Sequence, residues 1–184
     1  NDGNTISNNT IRDRSDAAGV PITLFYSAGS SAAITNTNNV VSNNTLKNFT
    51  STGVTITSTG NESWTISGNE IFQEAARTTA LTGISFASLG TNSISGNTIR
   101  NLDTTSTSTT RGMQLNDARS TTVARNRIYN MTESTGTLIG IEFSGSSSNP
   151  ANVAITNNMM SLIPAATASQ NVYGLYDNGF SGNT

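Results

Sequence analysis

A six-residue phrase recurs along this chain, with an Asn held in fourth place: apolar, small or polar, any, Asn, any, apolar. Residues 6–11 read I-S-N-N-T-I, 41–46 V-S-N-N-T-L, 66–71 I-S-G-N-E-I and 94–99 I-S-G-N-T-I. Weaker copies span 123–128 and 155–160, and the chain stops inside another at 180–184. The fourth-place residues are Asn9, Asn44, Asn69, Asn97, Asn126, Asn158 and Asn183, spaced 35, 25, 28, 29, 32 and 25 apart, a mean of 29. A second phrase, Gly-apolar-any-apolar, alternates with the first. It spans 19–22, 53–56, 83–86, 112–115 and 140–143, with a degenerate copy at 174–177. A fixed period of 20–50 residues is the signature of stacked repeats, in which each unit buries its apolar face only against its neighbours.

The apolar residues alternate with polar ones at period two, which is strand periodicity. Ile94 and Ile99 lie five apart, so a straight strand would send them to opposite faces. They share a core only if the chain bends at Gly96-Asn97. Gly enters the left-handed region freely, and Asn tolerates it better than other side chains. Each Asn phrase therefore predicts strand, tight corner, strand, and each Gly phrase adds a third strand. The expectation is an all-β parallel β-helix of about six coils of roughly 29 residues, with three short strands per coil, forming one domain over 1–184. Equivalent residues on successive coils would lie about 4.8 Å apart. At that spacing the recurring Asn can take the corner and also hydrogen-bond its counterpart in a ladder.

Composition agrees with a thin core. Only 34% of residues are hydrophobic and 11% charged, and Asn, Ser and Thr number 80 of 184. Net charge is −2, so the profile is not the charge-rich one of a disordered chain. The absence of Cys and His removes disulfides, thiolate chemistry and the commonest general base and metal ligand. A near-neutral balance argues against a nucleic-acid groove. No apolar run reaches the roughly 18 residues of a membrane span, and no signal peptide stands at Asn1. No cofactor or metal site is expected. Both ends fall inside a repeat, so the expectation is a fragment of a longer solenoid or a unit that stacks end to end.

The phrases I-S-N-N-T-I and I-S-G-N-T-I resemble the repeats of right-handed parallel β-helix proteins of the pectin-lyase-like superfamily, in particular bacterial secreted and cell-surface members. The likeness covers essentially the whole chain. It implies the asparagine ladder on Asn9, Asn44, Asn69, Asn97, Asn126, Asn158 and Asn183. It speaks weakly about activity, because the superfamily holds polysaccharide lyases, glycoside hydrolases, tailspikes and adhesins.

Phase also predicts surface columns. Three residues after each ladder Asn come Arg12, Lys47, Phe72, Arg100, Tyr129 and Ser161, an outward basic and aromatic stripe. It reads as a glycan- or partner-binding strip or as an ordinary solvated strand face. The next positions, Asp13, Asn48, Gln73, Asn101, Asn130 and Leu162, form an amide-rich column expected to be structural. Polysaccharide-cleaving relatives concentrate carboxylates on one face. Here the outward residues of the Gly-phrase strand are Thr55, Ser85, Gln114 and Glu142, and only the last is acidic. Asp117 and Arg119 with Glu142 make the best catalytic trio, weighed against a plain surface ion pair. Asp13 and Asp16 are too few ligands for calcium. The Thr-rich stretch 103–110 reads as a polar loop rather than a flat Thr lattice. Sequons at Asn8, Asn43, Asn48, Asn61 and Asn130 mostly overlap the corners.

The functional expectation is a structural or adhesive segment of an extracellular or bacterial cell-surface β-helix, part of a filament or long surface protein. Its partners would be further coils, identical molecules stacked end to end, or glycans. The alternatives are a polysaccharide-active lyase or hydrolase fragment and a non-catalytic glycan-binding module.

Overall fold

The computed structural model describes residues 1–13, 23–29, 35–57, 60–133, 135–144, 152–164 and 170–178. It is an all-β parallel solenoid with three main sheets. The first sheet stacks the opening strand of each Asn phrase: Thr5–Ser7, Val40–Ser42, Thr65–Ser67, Asn92–Ser95, Thr121–Ala124 and Val153–Thr156. The second stacks the closing strand: Thr10–Arg12, Thr45–Lys47, Glu70–Phe72, Thr98–Arg100, Arg127–Glu133 and Met159–Leu162. Asp103–Thr104 joins it by pairing with the end of Arg127–Glu133. The third stacks the Gly-phrase strands Thr23–Ser27, Thr52–Ile56, Thr82–Phe86, Thr110–Asn116, Leu138–Ser144 and Val172–Asp177.

Register follows the phrases residue for residue. Ile66 sits between Val41 and Ile94, Ile71 between Leu46 and Ile99, and Ile84 between Val54 and Met113. These inward files form one buried cluster that runs from Val41 to Ile141. The turns traced with a sealed core number about four, against the six that the phrase count predicts. The outermost phrases do extend the sheets, but their apolar residues are covered on one side only. Leu175 is 53% exposed in the file where Ile141 is 0% exposed.

Two local expectations need correction. The left-handed corner residue is the third of each Asn phrase, not the ladder Asn. It is Asn8 (φ 59°), Asn43 (54°), Gly68 (65°), Gly96 (66°), Arg125 (56°) and Asn157 (54°). The ladder Asn follows the bend with its side chain directed along the stack. In the first turn, the strand aligned with the Gly phrases is Thr23–Ser27, with Phe25 opposite Val54. The phrase at 19–22 lies outside the described residues.

The Gly column has a steric cause. A Cβ on Gly83 would lie 2.6 Å from the Gly112 carbonyl oxygen and 2.8 Å from Cγ2 of Ile99, and Gly53, Gly112 and Gly140 repeat this close approach. The glycine lets the third sheet close on the apolar files of the second.

Candidate functional site

The ladder is continuous from Asn9 to Asn158. The Asn44 Oδ1 accepts the Asn9 backbone N–H at 2.9 Å and the Asn9 Nδ2 at 3.1 Å. Asn44 in turn donates from N and Nδ2 to Asn69 Oδ1 at 2.9 and 3.0 Å. The same pair of bonds joins Asn69 to Asn97, Asn97 to Asn126 and Asn126 to Asn158. From Asn44 to Asn158, each Nδ2 also reaches back to a carbonyl of the preceding turn, as from Asn97 to Ile66 at 2.9 Å, while Asn9 Nδ2 bonds the Ser7 carbonyl of its own phrase. Asn44, Asn69, Asn97 and Asn126 are buried, so these bonds satisfy amides that no water reaches. Asn183 lies outside the described residues.

A second amide column went unread in the sequence. Five residues before each ladder position stand Asn4, Asn39, Trp64, Asn92 and Thr121. Asn4 donates from N and Nδ2 to Asn39 Oδ1 at 2.9 and 3.0 Å, and Trp64 N donates to Asn92 Oδ1 at 2.9 Å. The signal was N-x-x-x-x-N at 4–9, 39–44 and 92–97.

The stripe Arg12–Lys47–Phe72–Arg100–Tyr129–Ser161 forms one register file on the second sheet. Two of its cations are paired with carboxylates of the neighbouring turn. Lys47 Nζ lies 2.6 Å from Glu74 and Arg100 Nη2 2.8 Å from Glu70. Phe72 does not present a ring to solvent: it is 9% exposed, with the Arg100 guanidinium 4.0 Å and the Lys47 ammonium 5.7 Å from its centroid. The bonds from Lys47 and Asn48 hold the Glu74 carboxyl below its ordinary range.

The amide-rich column is a line of corners. Asn48, Asn101 and Asn130 have φ of 66°, 53° and 51°. Asn48 also bonds Glu74, and Gln73 bonds the Phe49 carbonyl and Arg77. Of the sequon residues, Asn8, Asn43 and Asn130 are exposed at left-handed corners, while Asn48 and Asn61 are buried.

On the third sheet, Glu142 faces Gln114 across the strands, in a file that runs Tyr26, Thr55, Ser85, Gln114, Glu142, Tyr176. The partners of its carboxylate among the described residues are Arg111 and Asn178. Asp117 and Arg119 lie instead on the connection leading to the first sheet. The Asp117 N–H bonds the Ser144 carbonyl, and the Arg119 carbonyl accepts from Asn92 Nδ2. Arg111, three residues before the Gln114 position on the neighbouring strand, is thus the basic partner that the sequence reading assigned to Arg119. Beside this pair, Tyr173 and Tyr176 stack with centroids 4.7 Å apart.

The most perturbed acid is Glu133, at the end of Arg127–Glu133. It is buried, its Oε2 accepts the Thr110 N–H at 3.1 Å, and Oε1 has no partner among the described residues. Burial pushes its carboxyl up to about 7, against the bond from Thr110. Such a value suits a general acid, yet the group is sealed from any substrate, so its effect is on stability. Among the described residues no group of three His, Cys, Asp or Glu could hold a metal ion. The first sheet's outer face is uncharged, with Ser7, Ser42, Ser67 and Ser95 in one file and Thr5, Val40, Thr65, Ser93 and Thr122 in the other.

No protein-family model matches the chain, and neither a curated protein nor a solved structure matches it.

Proposed function

We propose that this chain is a structural or adhesive segment of an extracellular or bacterial cell-surface protein, built on the right-handed β-helix plan of the pectin-lyase-like superfamily. The observation that carries this reading is the unbroken ladder from Asn9 to Asn158. The chain's regularity serves stacking, and six of its lateral ions are paired off as Lys47–Glu74, Arg100–Glu70 and Arg111–Glu142. Its partners on this reading are further coils, identical molecules in end-to-end register, and glycans.

A second reading, glycan binding or turnover on the third sheet, draws support from the Tyr173–Tyr176 stack beside Arg111 and Glu142. One experiment separates the two. The protein is incubated with immobilised acidic and neutral polysaccharides, and both retention and released product are measured. Retention without product supports the adhesive reading, and no retention leaves the purely structural one. Product that disappears in Glu142→Gln would replace both with an enzyme.

A further inference from the structure

One acid in this fold faces an acceptor where a donor is needed. Glu133, 1% exposed, ends the strand Arg127–Glu133 beneath the connection from Asp103–Thr104 to Thr110–Asn116. Its Oε2 accepts the Thr110 N–H at 3.1 Å, a hydrogen shared with the Thr137 carbonyl, which lies 2.9 Å from the same nitrogen. No donor among the described residues reaches its Oε1. What lies beside Oε1 is the Ser108 carbonyl oxygen. A Cβ on Gly136 would overlap both atoms at once, so the two oxygens stand within about 4 Å of each other. The φ of Gly136 lies outside the left-handed region, so its bare Cα serves this space and not a turn.

Two acceptors brought together in a buried spot repel unless a hydrogen lies between them, and a buried carboxylate without a cation is costly. A neutral carboxyl removes both penalties, because it carries one O–H donor. The charged groups of the described elements packed against Glu133 are committed elsewhere. Arg111 lies near enough to favour ionisation, but its guanidinium pairs with Glu142. Arg77, bridged to Thr104, donates to Gln73 and to the Asn48 carbonyl. Asp103 accepts the Thr132 hydroxyl at 2.8 Å, and Gln170 gives its side-chain amide to the Glu133 carbonyl.

We propose that Glu133 is a proton-operated latch: as the neutral acid it donates from Oε1 to the Ser108 carbonyl and holds residues 105–109 against the coil, and as the carboxylate it releases them. The covering layer is thin. Thr105, Thr107 and Ser108 are exposed, so one layer of chain separates the carboxyl from water. Within it the Ser106 N–H bonds Thr104 Oγ1 and the Ser108 N–H bonds Ser106 Oγ, both at 3.0 Å. Loss of the proton to solvent leaves a charge that is hydrated only if this layer lifts. Burial raises the Glu133 carboxyl from 4.5 to about 7, so the latch is closed in acid and opens as pH rises through about 7. The device does not depend on the adhesive reading.

The test is limited digestion with proteinase K at pH 5.5 and 8.5. Each rate is divided by that for a synthetic peptide of residues 102–112, which removes the protease's own pH dependence. Mass spectrometry locates the first cut. The normalised rate of cutting within 105–109 should rise at least about tenfold between the two pH values. In Glu133→Gln it should stay low at both, because the amide donates to the Ser108 carbonyl whatever the pH. Glu133→Ala should be cut at the high rate at both. The proposal is overturned if the parent is cut equally fast at the two pH values, if first cuts spread along the whole chain rather than falling within 105–109, or if Glu133→Gln accelerates as the parent does. The parent alone decides the first two outcomes, so they stand even if neither variant folds.

Discussion

At the residue scale, one amide side chain has its bonds divided between two turns. Asn97 accepts from Asn69, donates to Asn126 and donates back to Ile66. Its removal orphans the buried Asn69 backbone N–H and takes one donor each from the Ile66 carbonyl and from Asn126 Oδ1, which keeps the residue 97 backbone N–H. Asn97→Ala should therefore cost about 3 kcal/mol or more, whereas Asn9→Ala, at the exposed end, should cost about 1 kcal/mol or less. Urea denaturation of the two variants checks this, and equal losses would mean that the ladder carries no net stability. The corner beside the ladder gives a second test. Arg125 is exposed and holds φ 56°, where other turns have Asn or Gly. Arg125→Gly should stabilise the chain by about 0.5–1 kcal/mol, since the left-handed strain outweighs the added chain entropy. A lower urea midpoint would contradict it.

At the scale of the element, the corner that ends Arg127–Glu133 is a titrating joint. Glu133 has an ordinary value of 4.5 and is raised to about 7 by burial. Between those values the folded chain keeps a proton that the unfolded chain has lost. Stability is thus fully present below pH 4.5 and declines as pH rises through 7. The expected loss is up to about 2 kcal/mol, allowing for solvent screening. Melting temperature against pH should show this decline, and Glu133→Gln should flatten it between pH 4.5 and 7. A curve unchanged by the substitution would place the titration elsewhere. The strand faces argue similarly from local contacts. Phe72 read as an exposed aromatic because its phase is outward. It is covered because Lys47 and Arg100, its register neighbours, fold their charged ends over the ring. Phase fixes which way a side chain leaves the strand, but not how long neighbours drape across it.

At the scale of the whole molecule, burial is a property of position in the stack. Val54, Ile84, Met113 and Ile141 are fully buried in one file, and Leu175 in the same file is 53% exposed. Ile84→Ala should cost about 3–4 kcal/mol and Leu175→Ala below about 1 kcal/mol. Thermal melts of both variants test whether the outer turns share the core's cooperativity; similar losses would mean that they do.

The sequence by itself determined the solenoid, the alternation of strands and the ladder positions from Asn9 to Asn158. Those depend on period and phase, which stacking copies from turn to turn. Only the tertiary structure decided which residues share a site. The pairing of Glu142 with Arg111, the isolation of Glu133 and the covering of Phe72 all arise between turns. Contacts of that kind join residues 23–38 positions apart through side-chain length and loop path. A repeat pattern specifies neither.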